Sequence, residues 1–114
     1  MSIINRPEEN YLAMTNRQSI LNLLGIARRA GELISGEDTV LKAIRSQKVQ
    51  LVLIASDAGK TTSKKFQDKC HYYQVPFDIT FEKQQLNTAT GQARTVYGIT
   101  QSGFAHKIEE LLHM

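Results

Sequence analysis

Gln50-Leu51-Val52-Leu53-Ile54-Ala55 is, after its first residue, an unbroken apolar run with two β-branched members. A run of that length without polar alternation suits a strand covered on both faces, as in a sheet flanked by helices. Ser56-Asp57-Ala58-Gly59 supplies the turn that follows. Thr62 or Ser63 can then cap a helix whose Phe66, Cys70 and Tyr73 share one face. Val75-Pro76 closes that helix, and residues 77–81 read as a short strand. Residues 82–89 read as a short helix ended by Gly91. Residues 95–100 form the next strand, alternating around Val96 and Ile99. Ser102-Gly103 opens a last helix, with Phe104, Ile108, Leu111 and Leu112 facing inward.

Upstream of the apolar run the same alternation continues. Residues 15–18 have capping-box spacing, and Ile20, Leu23, Leu24 and Ala27 mark one buried helix face. Arg28-Arg29 fall in its last turn, where cations favour the dipole; RNA contact explains the pair equally well. Gly31 is the expected residue just past its end. Residues 1–14 are polar and mixed, with Pro7, and are expected to form a poorly ordered arm. Strands and helices alternating throughout imply an α/β/α sandwich, built as a single domain over residues 15–114.

The second helix start carries the strongest functional hint. Leu33-Ile34 precedes Gly36-Glu37-Asp38-Thr39-Val40-Leu41-Lys42, with Val40, Leu41 and Ile44 apolar. Ser35 with Asp38 fits a capping box, and Gly36 permits positive φ or close backbone approach. Free N–H groups at a helix start attract anions, and Lys42 adds a cation one turn further in. An ordinary capped helix with a solvated lysine accounts for the same residues.

Composition narrows the classes. The 114 residues suit one domain with one core. No apolar run approaches the ~20 residues needed to span a bilayer, and the first ten residues lack signal-peptide design. One cysteine, Cys70, leaves no internal disulfide and no multi-cysteine metal site. A cytoplasmic protein is expected. The net charge is +3, and between Arg17 and Lys69 ten Lys/Arg face five Asp/Glu. That is a modest footprint suited to phosphate contact.

Catalytic constellations are missing from the sequence. His71, His106 and His113 stand far apart, no metal-ligand spacing occurs, and Cys70 has no evident activating neighbour. No enzyme activity, cofactor, metal or small-molecule substrate is expected. Gly59-Lys60-Thr61-Thr62 follows a buried strand like a phosphate-binding loop, yet Ile54 stands where that loop needs its first glycine. A nucleotide-binding protein using Gly59-Lys60-Thr61 is therefore the weaker alternative, and Lys60 is read as a cation opening the third helix.

The order of these segments resembles the kink-turn-binding ribosomal protein family (the L-seven-Ae family), most closely its small bacterial members. The resemblance covers about residues 23–112. It rests on Arg29-Ala30-Gly31, Ser35-Gly36-Glu37-Asp38, Val40 with Lys42-Ala43-Ile44, residues 51–55 with Asp57-Ala58, Lys69-Cys70, Val75-Pro76, and Leu86 with Ala89 and Gly91. It implies a three-layer α/β/α sandwich with a mixed four-stranded sheet. It also implies a binding protein that recognises a sharply bent RNA internal loop with tandem sheared G·A pairs. By that likeness Gly36, Glu37, Asp38, Thr39 and Lys42 would meet the G·A pairs. Gln92, Ala93 and Arg94 would pack on a flipped-out nucleotide, with Lys60 adding charge nearby. Structured RNA, ribosomal RNA among the candidates, and ribosomal or translation proteins are the implied partners. A protein-interaction module that kept the fold without specific RNA binding is the other alternative. Three departures stand out: Asp38-Thr39 replaces an Asn-Glu pair, the segment from Gln92 is polar where an apolar loop is typical, and Asn87 replaces a glycine. Asn87 is expected to tolerate a left-handed backbone there.

Overall fold

The computed structural model describes the backbone of residues 7–114 and the side chains of residues 15–114. Five helices and four strands alternate along the chain. They are α1 (Pro7–Arg29), β1 (Leu33–Ser35), α2 (Glu37–Arg45), β2 (Leu51–Ile54), α3 (Lys60–Tyr73), β3 (Phe77–Asp78), α4 (Lys83–Thr90), β4 (Val96–Ile99) and α5 (Ser102–Leu112). The arm expected over residues 1–14 lies outside the described residues up to residue 6, and up to residue 14 for its side chains. The helix read from Thr15 belongs to α1, whose first residue is Pro7.

The sheet is mixed, in the order β1-β4-β2-β3. β4 is antiparallel to both β1 and β2, whereas β2 and β3 run parallel. Strand alternation sorts side chains between two cores. Leu51, Leu53, Tyr97 and Ile99 pack with Ile20, Leu24, Phe81, Leu86 and Ile108, under α1, α4 and α5. Val52, Ile54 and Val96 pack with Val40, Ile44, Phe66 and Cys70, under α2 and α3. Every residue of β2 and β4 is buried, which is why the run in β2 has no polar alternation. Each such aliphatic or aromatic side chain removed from water contributes about 1.5–3 kcal/mol before chain entropy is charged against it.

Gly98 closes the central strand against the second core. A Cβ there would stand 2.8 Å from Val49 Cγ2 and 3.1 Å from Ile34 Cγ1. No larger residue fits without moving both neighbours.

Two local expectations are corrected. The third helix starts at Lys60 with Gly59 as N-cap and no side-chain cap, so neither Thr62 nor Ser63 fills that position. The third strand is only two residues long, and Phe81 instead turns down into the first core.

Candidate nucleic-acid interface

Sheet register brings three loops to one end of the sandwich. Ser35 pairs with Tyr97 and Ile54 with Val96. The ends of β1 and β2 therefore meet the start of β4. Residues 36–39, 56–60 and 91–95 crowd that end, and α2 and α3 both begin there. Gly36 makes the turn from β1 into α2 with φ 95° and ψ 148°. Its N–H donates to Val96 O at 2.9 Å, and its carbonyl accepts from Val40 N at 3.0 Å. Only glycine takes that backbone geometry without strain.

The helix starts at this end differ from the others. α2 and α3 each begin after a glycine and carry no side-chain cap. By contrast, Asp57 Oδ1 accepts the Lys83 N–H at the start of α4 (2.8 Å), and Gln101 Oε1 accepts the Phe104 N–H in α5 (2.9 Å). The first-turn amides of α2 and α3 are thus left for solvent or a ligand, and the macrodipoles add partial positive charge. Ser35 does not cap α2 as its spacing suggested. It ends β1, and its hydroxyl donates to Gln92 Oε1 at 2.5 Å, stitching β1 to the 91–95 loop.

That loop is built tightly. The ring of Tyr97 is fully buried, while its hydroxyl reaches Asn87 Oδ1 and Gln92 O, each at 2.6 Å. The Arg94 N–H donates to Asn87 Oδ1 at 3.0 Å. At the base of the loop, Arg28 Nη1 donates to Thr90 O at 2.6 Å, so this member of the arginine pair caps α4. Gly91 (φ 73°) ends α4; a Cβ there would stand 2.6 Å from Arg28 Nη1. Asn87 lies inside α4, not in a left-handed turn, and contributes through its side-chain amide. Spacing alone could not find the Asn87–Tyr97 pair, because Tyr97 reads as one more strand residue.

The residues singled out in the sequence are only partly gathered. Arg94 lies over Gly36, its Nε 3.7 Å from where a Gly36 Cβ would stand, and its Nη1 donates to Ala93 O at 3.1 Å. Gln92, exposed Ala93 and Arg94 thus flank the start of α2. Asp38, Thr39 and Lys42 are exposed along α2. Glu37 turns toward α3, accepting from Thr62 Oγ1 at 3.3 Å and lying 3.7 Å from Lys65 Nζ. Lys60, exposed, opens α3 at the same end of the sheet.

A phosphate cradle is not formed by residues 56–59. The Ser56 N–H donates to Phe81 O (2.8 Å) and the Ala58 N–H to Ala55 O (3.0 Å). Two of the four amides such a loop would use are therefore already engaged. Cys70 is a core residue, and burial pushes its thiol up to about 12. Among the described residues no group of three or more His, Cys, Asp or Glu is placed to hold a metal ion. None of the described helices is long and apolar enough to cross a membrane.

Residues 18–109 match the family model described as the ribosomal protein L7Ae/L30e/S12e/Gadd45 family. The chain is 43% identical over 97 residues to the RNA-binding protein YlxQ of Enterococcus faecium, covering 85% of this chain and 94% of that one. It is 45% identical over 91 residues to the RNA-binding protein YlxQ of Bacillus subtilis (strain 168), covering 79% and 91%. A solved structure of a protein with unknown function from Bacillus halodurans superposes with a TM-score of 0.80 at 42% identity, covering 83% of this chain and 97% of that one. The 15.5 kD RNA binding protein of Giardia lamblia shares the fold, with a TM-score of 0.73 at 21% identity, covering 87% and 86%.

Proposed function

The chain belongs to the ribosomal protein L7Ae/L30e/S12e/Gadd45 family, and from that premise we propose that it binds RNA as a non-catalytic protein of the translation apparatus. Its ligand is a kink-turn-like internal loop with sheared G·A pairs, carried by structured RNA such as ribosomal RNA, and its setting is cytoplasmic and ribosome-associated. Two relatives above 40% identity bear the name RNA-binding protein. The single observation that carries the site is the uncapped start of α2 at Gly36 with Arg94 held against it.

The chemistry follows from the geometry. Regular A-form RNA hides its base edges in a deep, narrow groove, whereas a bent internal loop opens them. The α2 amides and Lys42 supply donors for phosphates and base acceptors. Asp38 and Thr39 sit beside them, and Asp38 accepts from guanine imino or amino groups. Because Glu37 already faces Thr62 and Lys65, it serves to position α2 against α3. Gln92, Ala93 and Arg94 cover an extruded nucleotide, and Lys60 adds charge from the start of α3.

Titration of a kink-turn RNA against the same RNA lacking its G·A pairs tests this reading. Preference for the intact loop is expected; equal affinity for both removes it.

A further inference from the structure

The contact of Glu37 with Thr62 and Lys65 sets α2 and α3 side by side. Both helices run away from the same end of the sheet. Along α2, Leu41 and Arg45 follow Glu37 at one and two turns. Along α3, Lys69 and then Tyr72 follow Lys65 at the same intervals. Arg45, Lys69 and Tyr72 therefore share the far half of one seam, with Lys48 just past the end of α2. Arg45, Lys48 and Tyr72 are exposed, and Lys69 is half-buried.

Carboxylates are absent from this half. Residues 39–56 and 69–77 contain no Asp or Glu, and Asp68 is held by Lys64 at 2.7 Å. Among the described residues, Arg45, Lys48 and Lys69 have no ion-pair partner. Uncompensated cations repel one another and favour a bound polyanion. Tyr72 is 78% exposed and braced by Tyr73, with ring centroids 4.8 Å apart in a T-shaped pair. Cations beside an open aromatic ring are what an unpaired nucleic-acid strand uses: phosphates on the charges, a base on the ring.

We propose that this seam holds an unpaired RNA strand leaving the bent element, with phosphates on Arg45, Lys48 and Lys69 and a base stacked on Tyr72. The proposal rests on the RNA reading above and extends it to a second contact surface. A duplex continuation is the poorer fit, because paired bases present no free face to Tyr72.

The test compares a blunt kink-turn RNA with forms carrying about eight unpaired nucleotides on either strand end, or a duplex extension of equal length, sized to the ~18 Å run of α3 from Lys60 to Tyr72. One unpaired extension is expected to tighten binding about tenfold, within the range of one base stacked on an aromatic side chain. Tyr72→Ala abolishes most of that gain. Arg45→Gln with Lys69→Gln lowers the salt slope of the extended RNA by about 2, one for each phosphate lost. Blunt RNA binds all these variants like the parent chain. The inference is overturned if neither unpaired extension tightens binding, if the duplex extension tightens it equally, or if the gain survives the substitutions. Failure of the blunt RNA to distinguish intact from G·A-less loops sinks the earlier reading instead, and is visible separately.

Discussion

The Tyr97 hydroxyl and the Asn87 side-chain oxygen stand 2.6 Å apart, joining the floor of the first core to the loop that carries Arg94. Tyr97→Phe keeps the ring and removes this tie. Unfolding free energy in urea is expected to fall by about 1 kcal/mol, the size of one hydrogen bond lost with a partner left behind. Kink-turn affinity should fall as well, because Arg94 loses the anchor of its main-chain N–H. An unchanged affinity in a folded variant would separate the loop from the site.

Gly36→Ala and Gly98→Ala test two different glycine roles. At Gly36 the φ of 95° strains any Cβ-bearing residue, an expected loss of about 1–3 kcal/mol. Thermal melts should show it, and RNA affinity should fall with it because the start of α2 is displaced. At Gly98 the problem is volume: Val49 Cγ2 lies 2.8 Å from the added atom, an overpacking loss of about 1–3 kcal/mol. The folded fraction of that variant should bind RNA normally.

Asp38→Asn is expected to move stability and binding in opposite directions. The carboxylate lies in the first turn of α2, where negative charge stabilises the helix by about 0.3–1 kcal/mol. The same charge repels phosphate and accepts only. The amide should therefore melt slightly lower and bind kink-turn RNA more tightly. Lys42→Ala should weaken binding by about 1–3 kcal/mol if the amine meets a base edge, and change a melt little. Fluorescence anisotropy at fixed salt reads both.

Cys70 offers a pH test. Burial of a neutral thiol disfavours its thiolate, raising the folded pKa to about 12 from 9.0. The folded chain then holds its proton more tightly than the unfolded chain, so this contribution is complete below pH 9 and declines as pH rises toward 12. Thiol-reactive reagents at pH 8 should label Cys70 only at the rate of unfolding. Rapid labelling of native protein would contradict the burial.

Much of the fold could be read locally. The apolar run at 51–55 announced a doubly covered strand, and Gly36 announced the turn into α2, because period and backbone freedom act between near neighbours. What failed needed partners distant in sequence. Ser35 looked like a cap until Gln92, 57 positions away, took its hydroxyl. Thr62 looked like a cap until Glu37, 25 positions away, took its own. Asn87 looked like a backbone substitute for glycine, whereas its use is set by Tyr97 and Arg94 across a loop. Arg94 could be suspected from resemblance, yet its seat over Gly36 depends on β4 lying between β1 and β2.

The sheet has narrow margins. Its outer strands, β1 and β3, span three and two residues, so few main-chain donors and acceptors are left for a foreign strand to zip onto. The protein should resist fibril growth even in concentrated solution, and a partner that joins it must do so through side chains.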